Sequence, residues 1–251
     1  MDDNFQGYRQ TVQGMFAAVA MTAAIAHARS EFPRESCGLI VSGEYVPCVN
    51  YATDPLSDFQ IAPEAYLRAS QRGTIEAVVH SHPNGQVFPS QIDMKGQIDT
   101  GVPWIILPLN EDVIMDPVAW GDQLPMAPML NRPFVWGVFD CYSLIRDYYR
   151  TNFNLSLPNV PREDEWWNKG EDLYLDHLKP QGFREIQLSE AKPGDGFLIR
   201  FMGSSKLNHA GVLLPNSLIL HHLPTRLSRR EPAGIWARAA DMWVRHEAIN
   251  G

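Results

Sequence analysis

EAVVHSHPNGQVFPSQIDMKGQID, residues 76–99, reads as a strand, a turn-rich link and a helix in that order. EAVVH (76–80) is a short apolar run with β-branched residues, and SQIDMKGQID (90–99) has helical spacing. Working toward the N-terminus, PEAYLRASQ (63–71) is a second helical stretch, while YVPCV (45–49) and CGLIV (37–41) read as strands. Residues 16–31 form a further helix, ended by Pro33, after a polar leader at residues 1–14. Toward the C-terminus, WIILPL (104–109) adds one more strand. The first half is therefore α/β or α+β, with a buried mixed sheet flanked by helices.

The pattern changes at residue 116. DPVAWGDQLPMAPMLNRP (116–133) carries Pro117, Pro125, Pro128 and Pro133 without clear periodicity, so an extended linker is expected there. The second half opens on FVWGVFDCYSLIRDYYRT (134–151), amphipathic and helical from Cys141 onward. A loop-rich middle (PREDEWWNKG) and a short helix precede three strand-like runs, DGFLIRF (195–201), HAGVLL (209–214) and SLILHHL (217–223). A helix packed on an antiparallel sheet is the expected α+β fold. The expected division is a first domain at 15–116, a proline-rich linker at 117–130 and a second domain at 131–251.

Composition narrows the function. The 251 residues are 45% hydrophobic and 20% charged, as in a soluble globular protein, and no apolar run is long enough to span a bilayer. Residues 15–28 lack a basic flank and read as an amphipathic helix rather than a signal peptide. The net charge of −8 is uneven: residues 1–125 carry 15 acidic and 6 basic side chains, and residues 126–251 carry 14 and 15. An acidic half without clustered Lys and Arg is a poor phosphate binder, so no nucleic-acid partner is expected. Arg226, Arg229 and Arg230 read as a solvated loop or strand edge. Three cysteines, Cys37, Cys48 and Cys141, are too few and odd in number for a disulfide framework.

Two constellations carry chemistry. His80 and His82 are two apart on a strand, so both imidazoles point to one face and can converge on one ion. Asp93, in the first turn of the following helix, adds a carboxylate, and three ligands leave a position on zinc for water. Glu35 is the candidate general base. Each piece alone has an ordinary reading: Ser90 and Asp93 as a helix start, Glu35 as a surface residue. Together, Glu35, His80, His82, Pro83, Ser90 and Asp93 resemble the signature of the JAMM (MPN-type) metalloproteases, over roughly residues 16–115. That resemblance implies zinc held by His80, His82 and Asp93, water activation by Glu35, and stabilisation of a tetrahedral intermediate by Ser90.

Cys141 begins a helix, whose unpaired N–H groups and partial positive charge favour thiolate. A cysteine nucleophile needs an imidazole as base and a third group to orient it. His209 and His221 are brought together by a hairpin around Leu214–Ser217, but hairpin arithmetic alone does not decide between His221 and His222. The W-G…D-C block, the N-H-A-G-V strand and a second histidine twelve residues on resemble the NlpC family of papain-like cell-wall cysteine peptidases, over about residues 130–250. The resemblance implies Cys141 as nucleophile, His209 as base, His221 as orienting residue and Asp140 as a structural acid. Phe134 stands where the family often has a tyrosine, so that hydroxyl is lost or supplied by another group.

The pairing itself, with HHLPTRLSRRE (221–231), resembles the tail tip assembly protein K family of lambda-like long-tailed phages. That resemblance implies a virion tail-tip protein, made in the host cytoplasm, that works with other tail tip proteins. Its thiol site would hydrolyse amides of peptidoglycan stem peptides, and its zinc site would act on a substrate not named by the motif. An assembly or maturation factor, and a structural subunit whose sites are not lytic, are the alternatives.

Overall fold

Ala20, Ala24 and Ala28 recur at every fourth position, so they line one side of a helix and let it approach a sheet closely. In the computed structural model, which describes residues 3–111 and 113–249, that helix is α2 (Ala18–Glu31), after α1 (Asp3–Gly14). The chain divides into two units, Met1–Pro125 and Met126–Gly251. The first continues with β1 (Cys37–Val41), β2 (Glu44–Cys48), α3 (Pro63–Arg72), β3 (Ile75–His82), α4 (Gln91–Thr100), β4 (Trp104–Asn110), β5 (Val113–Ile114) and β6 (Val118–Trp120). These strands form one mixed sheet in the order β2-β1-β3-β4-β5, with β6 also on β4. Strands β1 and β3 run antiparallel, β3 and β4 parallel.

The three alanines pack against Ile40, Ala77, Val79, Ile105 and Leu107. Strand side chains alternate, so His80 and His82 point to the opposite face of the sheet from Val79. Cys37 pairs with His80, and Ser36 and Ser81 bond through Ser36 N to Ser81 Oγ (2.8 Å) and Ser81 N to Ser36 O (3.0 Å). Continuing that register places Glu35 level with His82, on the histidine face.

Two expectations change here. Of residues 1–14, read as a polar leader, residues 3–14 form α1, and Phe5 and Val12 on it are buried. The apolar side of α1 is thin, with Phe5, Tyr8 and Val12 set among polar residues, so its periodicity is faint in sequence. Residues 117–130, read as a linker, open with β6, which pairs Trp104 with Trp120, and Leu124 joins the same core. Strand β4 is buried and needs backbone partners on both edges, which outweighs the flanking prolines. Farther on, Arg132 is fully buried, donates to the carbonyls of Ala127 and Pro128, and meets Asp147 at 2.7 Å. The stretch 127–132 is thereby tied to the second unit.

That unit contains α5 (Cys141–Phe153), α6 (Leu173–Leu178), β7 (Phe183–Ile186), β8 (Gly196–Ile199), β9 (His209–Leu214), β10 (Leu218–His221), β11 (Arg229–Pro232), α7 (Gly234–Ala239) and β12 (Met242–His246). Its sheet is antiparallel throughout, in the order β11-β10-β9-β8-β12-β7. Leu144, Ile145, Tyr148 and Tyr149 of α5 pack on Leu198, Ala210, Val212, Leu220 and Val244, each buried side chain contributing roughly 1.5–3 kcal/mol. Sequence patterning locates β8, β9 and β10 but not β7, β11 or β12. FREI, RREP and MWVRH are short and rich in polar residues, and they gain strand form by pairing with better-defined neighbours. Among the described residues no single helix is long and apolar enough to cross a membrane.

Candidate functional sites

The first site is assembled by one strand, one helix N-terminus and the residues just before β1. His80 Nε2 and His82 Nε2 lie 3.0 Å apart. Asp93 presents Oδ1 at 3.4 Å from His80 Nε2 and Oδ2 at 3.5 Å from His82 Nε2. Helix α4 places this carboxylate through a capping box: Asp93 N donates to Ser90 Oγ (3.1 Å), and Ser90 N and Oγ donate to Asp93 Oδ2 (2.8 and 2.7 Å). Ser90 and Asp93 therefore do cap the helix while Asp93 also faces the histidines. Glu35 closes the group, with ligand atoms of Glu35, His80 and His82 all within 4.8 Å of one another.

The donor set fits a metal ion. His82 Nδ1 donates to the Gln86 carbonyl at 3.0 Å, so Nε2 carries the lone pair that faces His80 and Asp93. Phe59 stacks on His80 at 4.4 Å and holds the ring plane. Burial keeps His80 below the usual imidazole range and hence neutral. Burial opposes ionisation of Asp93, but His80 and His82 outweigh it and hold its carboxyl well below the usual carboxylate range. Glu35 moves the other way, raised to about 8 by burial and then by the charges of Asp93 and Asp58. The neutral His80, the bare Nε2 of His82 and the ionised Asp93 can hold a divalent cation, with the Glu35 carboxyl beside them.

The second site draws on distant segments. Asp140 caps α5, accepting from Ser143 N at 2.9 Å, and also accepts from Gly137 N at 3.0 Å. Its charge is met by Arg162, with Nε 2.6 Å from Oδ2 and Nη2 2.9 Å from Oδ1, both groups buried. Strand register puts His221 opposite Gly211, on the face that His209 shares, so His209 Nε2 reaches His221 Nδ1 at 3.2 Å. Gly211 accommodates the Phe197 ring, which a Cβ there would approach to 2.5 Å. His222 points away, against Phe134 at 5.0 Å, with Nε2 3.2 Å from the Arg226 carbonyl. The choice left open by hairpin arithmetic is thus decided geometrically for His221 as the partner of His209.

The electrostatics differ from the sequence expectation. A helix N-terminus favours thiolate, yet burial and then Asp140 push the Cys141 thiol up to about 11. His209 is lowered to about 3 by burial, His221 and His222, and His221 to about 4, mainly by burial. The site holds a neutral thiol and neutral imidazoles. Among the described residues no hydrogen bond joins Cys141 to His209. The thiol instead contacts the Tyr174 hydroxyl at 3.3 Å and the Ala210 amide, one residue beyond His209. Tyr174 supplies a hydroxyl at the thiol where Phe134 has none. It also lines a cavity of about 60 Å³ beside Cys141, Tyr142, Trp166 and Phe183. The three cysteines are free thiols; Cys37, on β1, is the register partner of His80, and Cys48, on β2, pairs with Cys37. Sequence reading missed Arg162, Tyr174 and Glu231, which sits 3.6 Å from His221 Nε2. Only their tertiary placement marks them.

Comparison with known proteins covers both units. The family of prokaryotic homologs of the JAB domain matches residues 17–119, and the NlpC/P60 family matches residues 131–244. Tail tip assembly protein K of Escherichia phage N15 is 36% identical over 238 residues, spanning 91% of this chain and 95% of that protein. Tail tip assembly protein K of Escherichia phage lambda is 38% identical over 192 residues, spanning 75% and 90%. Among solved structures, a protein from Desulfitobacterium hafniense is 24% identical, covering 41% of this chain and 79% of its own, with a TM-score of 0.35.

Proposed function

This chain belongs to the tail tip assembly protein K family, with a JAB-like domain followed by an NlpC/P60 domain, and from that premise we propose that it is a tail-tip peptidase that opens peptidoglycan locally. The observation that carries the reading is the 3.2 Å approach of His209 to His221 within a domain whose long helix begins at Cys141. Cys141 is the nucleophile, His209 the base and His221 the group that orients it. His209 takes the thiol proton as Sγ attacks the amide carbonyl of a stem peptide, and returns it to the departing amine. The resulting thioester is hydrolysed by water, with His209 again moving the proton.

The first domain is read as a metallopeptidase site. Zinc bound by His80, His82 and Asp93 would supply a Lewis acid there. Glu35 would accept and pass on a proton, and Ser90 would hold Asp93 in place while offering its hydroxyl to the reacting group. The protein works at the virion tail tip among other tail tip proteins, after assembly in the host cytoplasm. The name of the relatives, tail tip assembly protein, favours one alternative, in which the metal site trims another tail protein during maturation.

Digestion of purified diaminopimelate-type peptidoglycan, resolved by mass spectrometry, tests the main reading. Cleaved stem peptides are expected from the wild type and from His82→Ala, and none from Cys141→Ala. Absence of products from the wild type on both intact wall and free muropeptides would overturn it in favour of assembly.

A further inference from the structure

Three adjacent strands bring His209, His221 and Glu231 into a row. His221 pairs with Gly211 and Glu231 with Ile219, so the register puts all three side chains on one face of the sheet. Glu231 Oε2 is anchored by the Trp236 indole, which donates to it at 2.9 Å, and it stands 3.6 Å from His221 Nε2. The same indole lies 4.3 Å from the His221 ring, so α7 holds both the imidazole and the carboxylate.

We propose that Glu231 is a positioning residue of the Cys141 site, whose carboxylate sets the tautomer of His221 and, through it, that of His209. The inference rests on the thiol-peptidase reading of that site. A carboxylate only accepts, so the His221 nitrogen that faces it, Nε2, carries the proton. Nδ1 of His221 is then bare and accepts from His209 Nε2 at 3.2 Å. That leaves Nδ1 of His209 bare, as a proton acceptor for the thiol. With the opposite arrangement His209 would present an N–H and could not serve as base.

At 3.6 Å from a neutral imidazole Glu231 acts chiefly through the field of its charge, drawing closer as positive charge develops on the histidine pair. Other charges face the pair. Arg229, with Nη1 3.6 Å from Glu231 Oε1, and Arg226 both disfavour a charged His221, and His222 disfavours a charged His209. Among these groups Glu231 supplies the negative charge that offsets them.

The test uses the full chain and needs no peptidoglycan. Alkylation by iodoacetamide, in which Sγ displaces iodide, is followed at the Cys141 peptide by mass spectrometry across pH. At about pH 7, Glu231→Gln is expected to slow alkylation about tenfold, toward the His209→Ala rate, with Glu231→Asp retaining most of the wild-type rate. The profiles should converge as pH rises toward the thiol's own ionisation. Identical profiles for wild type and Glu231→Gln, with His209→Ala slower, overturn the role of Glu231 alone. Identical profiles for wild type and His209→Ala overturn the thiol–imidazole reading beneath it. Long-range proton–nitrogen NMR of the wild type gives a second measurement, independent of whether the variants fold. His209 and His221 are both expected as Nε2–H tautomers, and an Nδ1–H on His209 would refute the proposal.

Discussion

The two candidate sites are built by opposite means. His80, His82, Ser90 and Asp93 come from one strand, one turn and one helix start, and only Glu35 arrives from elsewhere. Cys141, His209 and His221 come from one helix and two strands, with Arg162, Tyr174 and Glu231 added from further segments. The difference extends to charge. The first site keeps Asp93 ionised beside a neutral His80, as a cation requires, while the second suppresses charge on thiol and imidazoles by burial. A site for a cation can be encoded locally, because a few donors at set spacing suffice. A thiol site needs a burial environment, which only the assembled fold provides.

That comparison can be broken most decisively by exchanging the losses. Cys141→Ala is expected to reduce stem-peptide cleavage on the order of 10³-fold or more while leaving zinc per chain, measured by inductively coupled plasma mass spectrometry, unchanged. His82→Ala should do the reverse, and a joint loss in either variant would show that the sites are not separate in function.

Next in size is the buried pair beneath the thiol. Asp140→Asn leaves the Arg162 guanidinium buried without its anion and weakens the α5 cap, costing on the order of 3–5 kcal/mol. Hydrogen exchange read by mass spectrometry should show lost protection throughout residues 126–251 with residues 3–125 unchanged.

A comparable effect on the same unit follows from acid. His209, His221 and His222 have values of about 3, 4 and 4 in the folded chain against 6.5 as the ordinary value. Below 6.5 the unfolded chain therefore takes up protons that the folded chain refuses, so stability from these groups is present at neutral pH and lost as pH falls. Between about pH 6.5 and pH 5 each contributes a loss on the order of 2 kcal/mol at most. Denaturant unfolding of the second unit should therefore move to lower midpoint across that window, and a flat midpoint would contradict buried neutral imidazoles.

Tyr174→Phe sharpens the picture at the smallest scale. The Tyr174 hydroxyl lowers the thiol value, so its loss should raise that value further and slow alkylation of Cys141 about two- to three-fold. Unchanged alkylation would mean that the 3.3 Å contact is packing only.

Much of this was legible in the residues themselves. The strand period of two predicts the convergence of His80 and His82, and the S-x-x-D spacing predicts the start of α4 at Ser90. Cys141 at a helix start behind Asp140 is legible in the same local way. By contrast, α1 and β6 are not legible locally, because Phe5, Val12 and Val118–Trp120 gain their structure from partners elsewhere in the first unit.

By itself, then, the sequence determined two domains in order, their family patterns, and the donors within a turn or two of one another, since such spacing depends only on local backbone geometry. Tertiary structure alone decided that His221 rather than His222 faces His209, because a one-residue slip in strand register turns a side chain to the other face of the sheet. It also decided that Arg162 neutralises Asp140, that Tyr174 meets the thiol and that Glu231 stands behind His221. Burial and charge at these points are set by contacts between residues far apart in the chain.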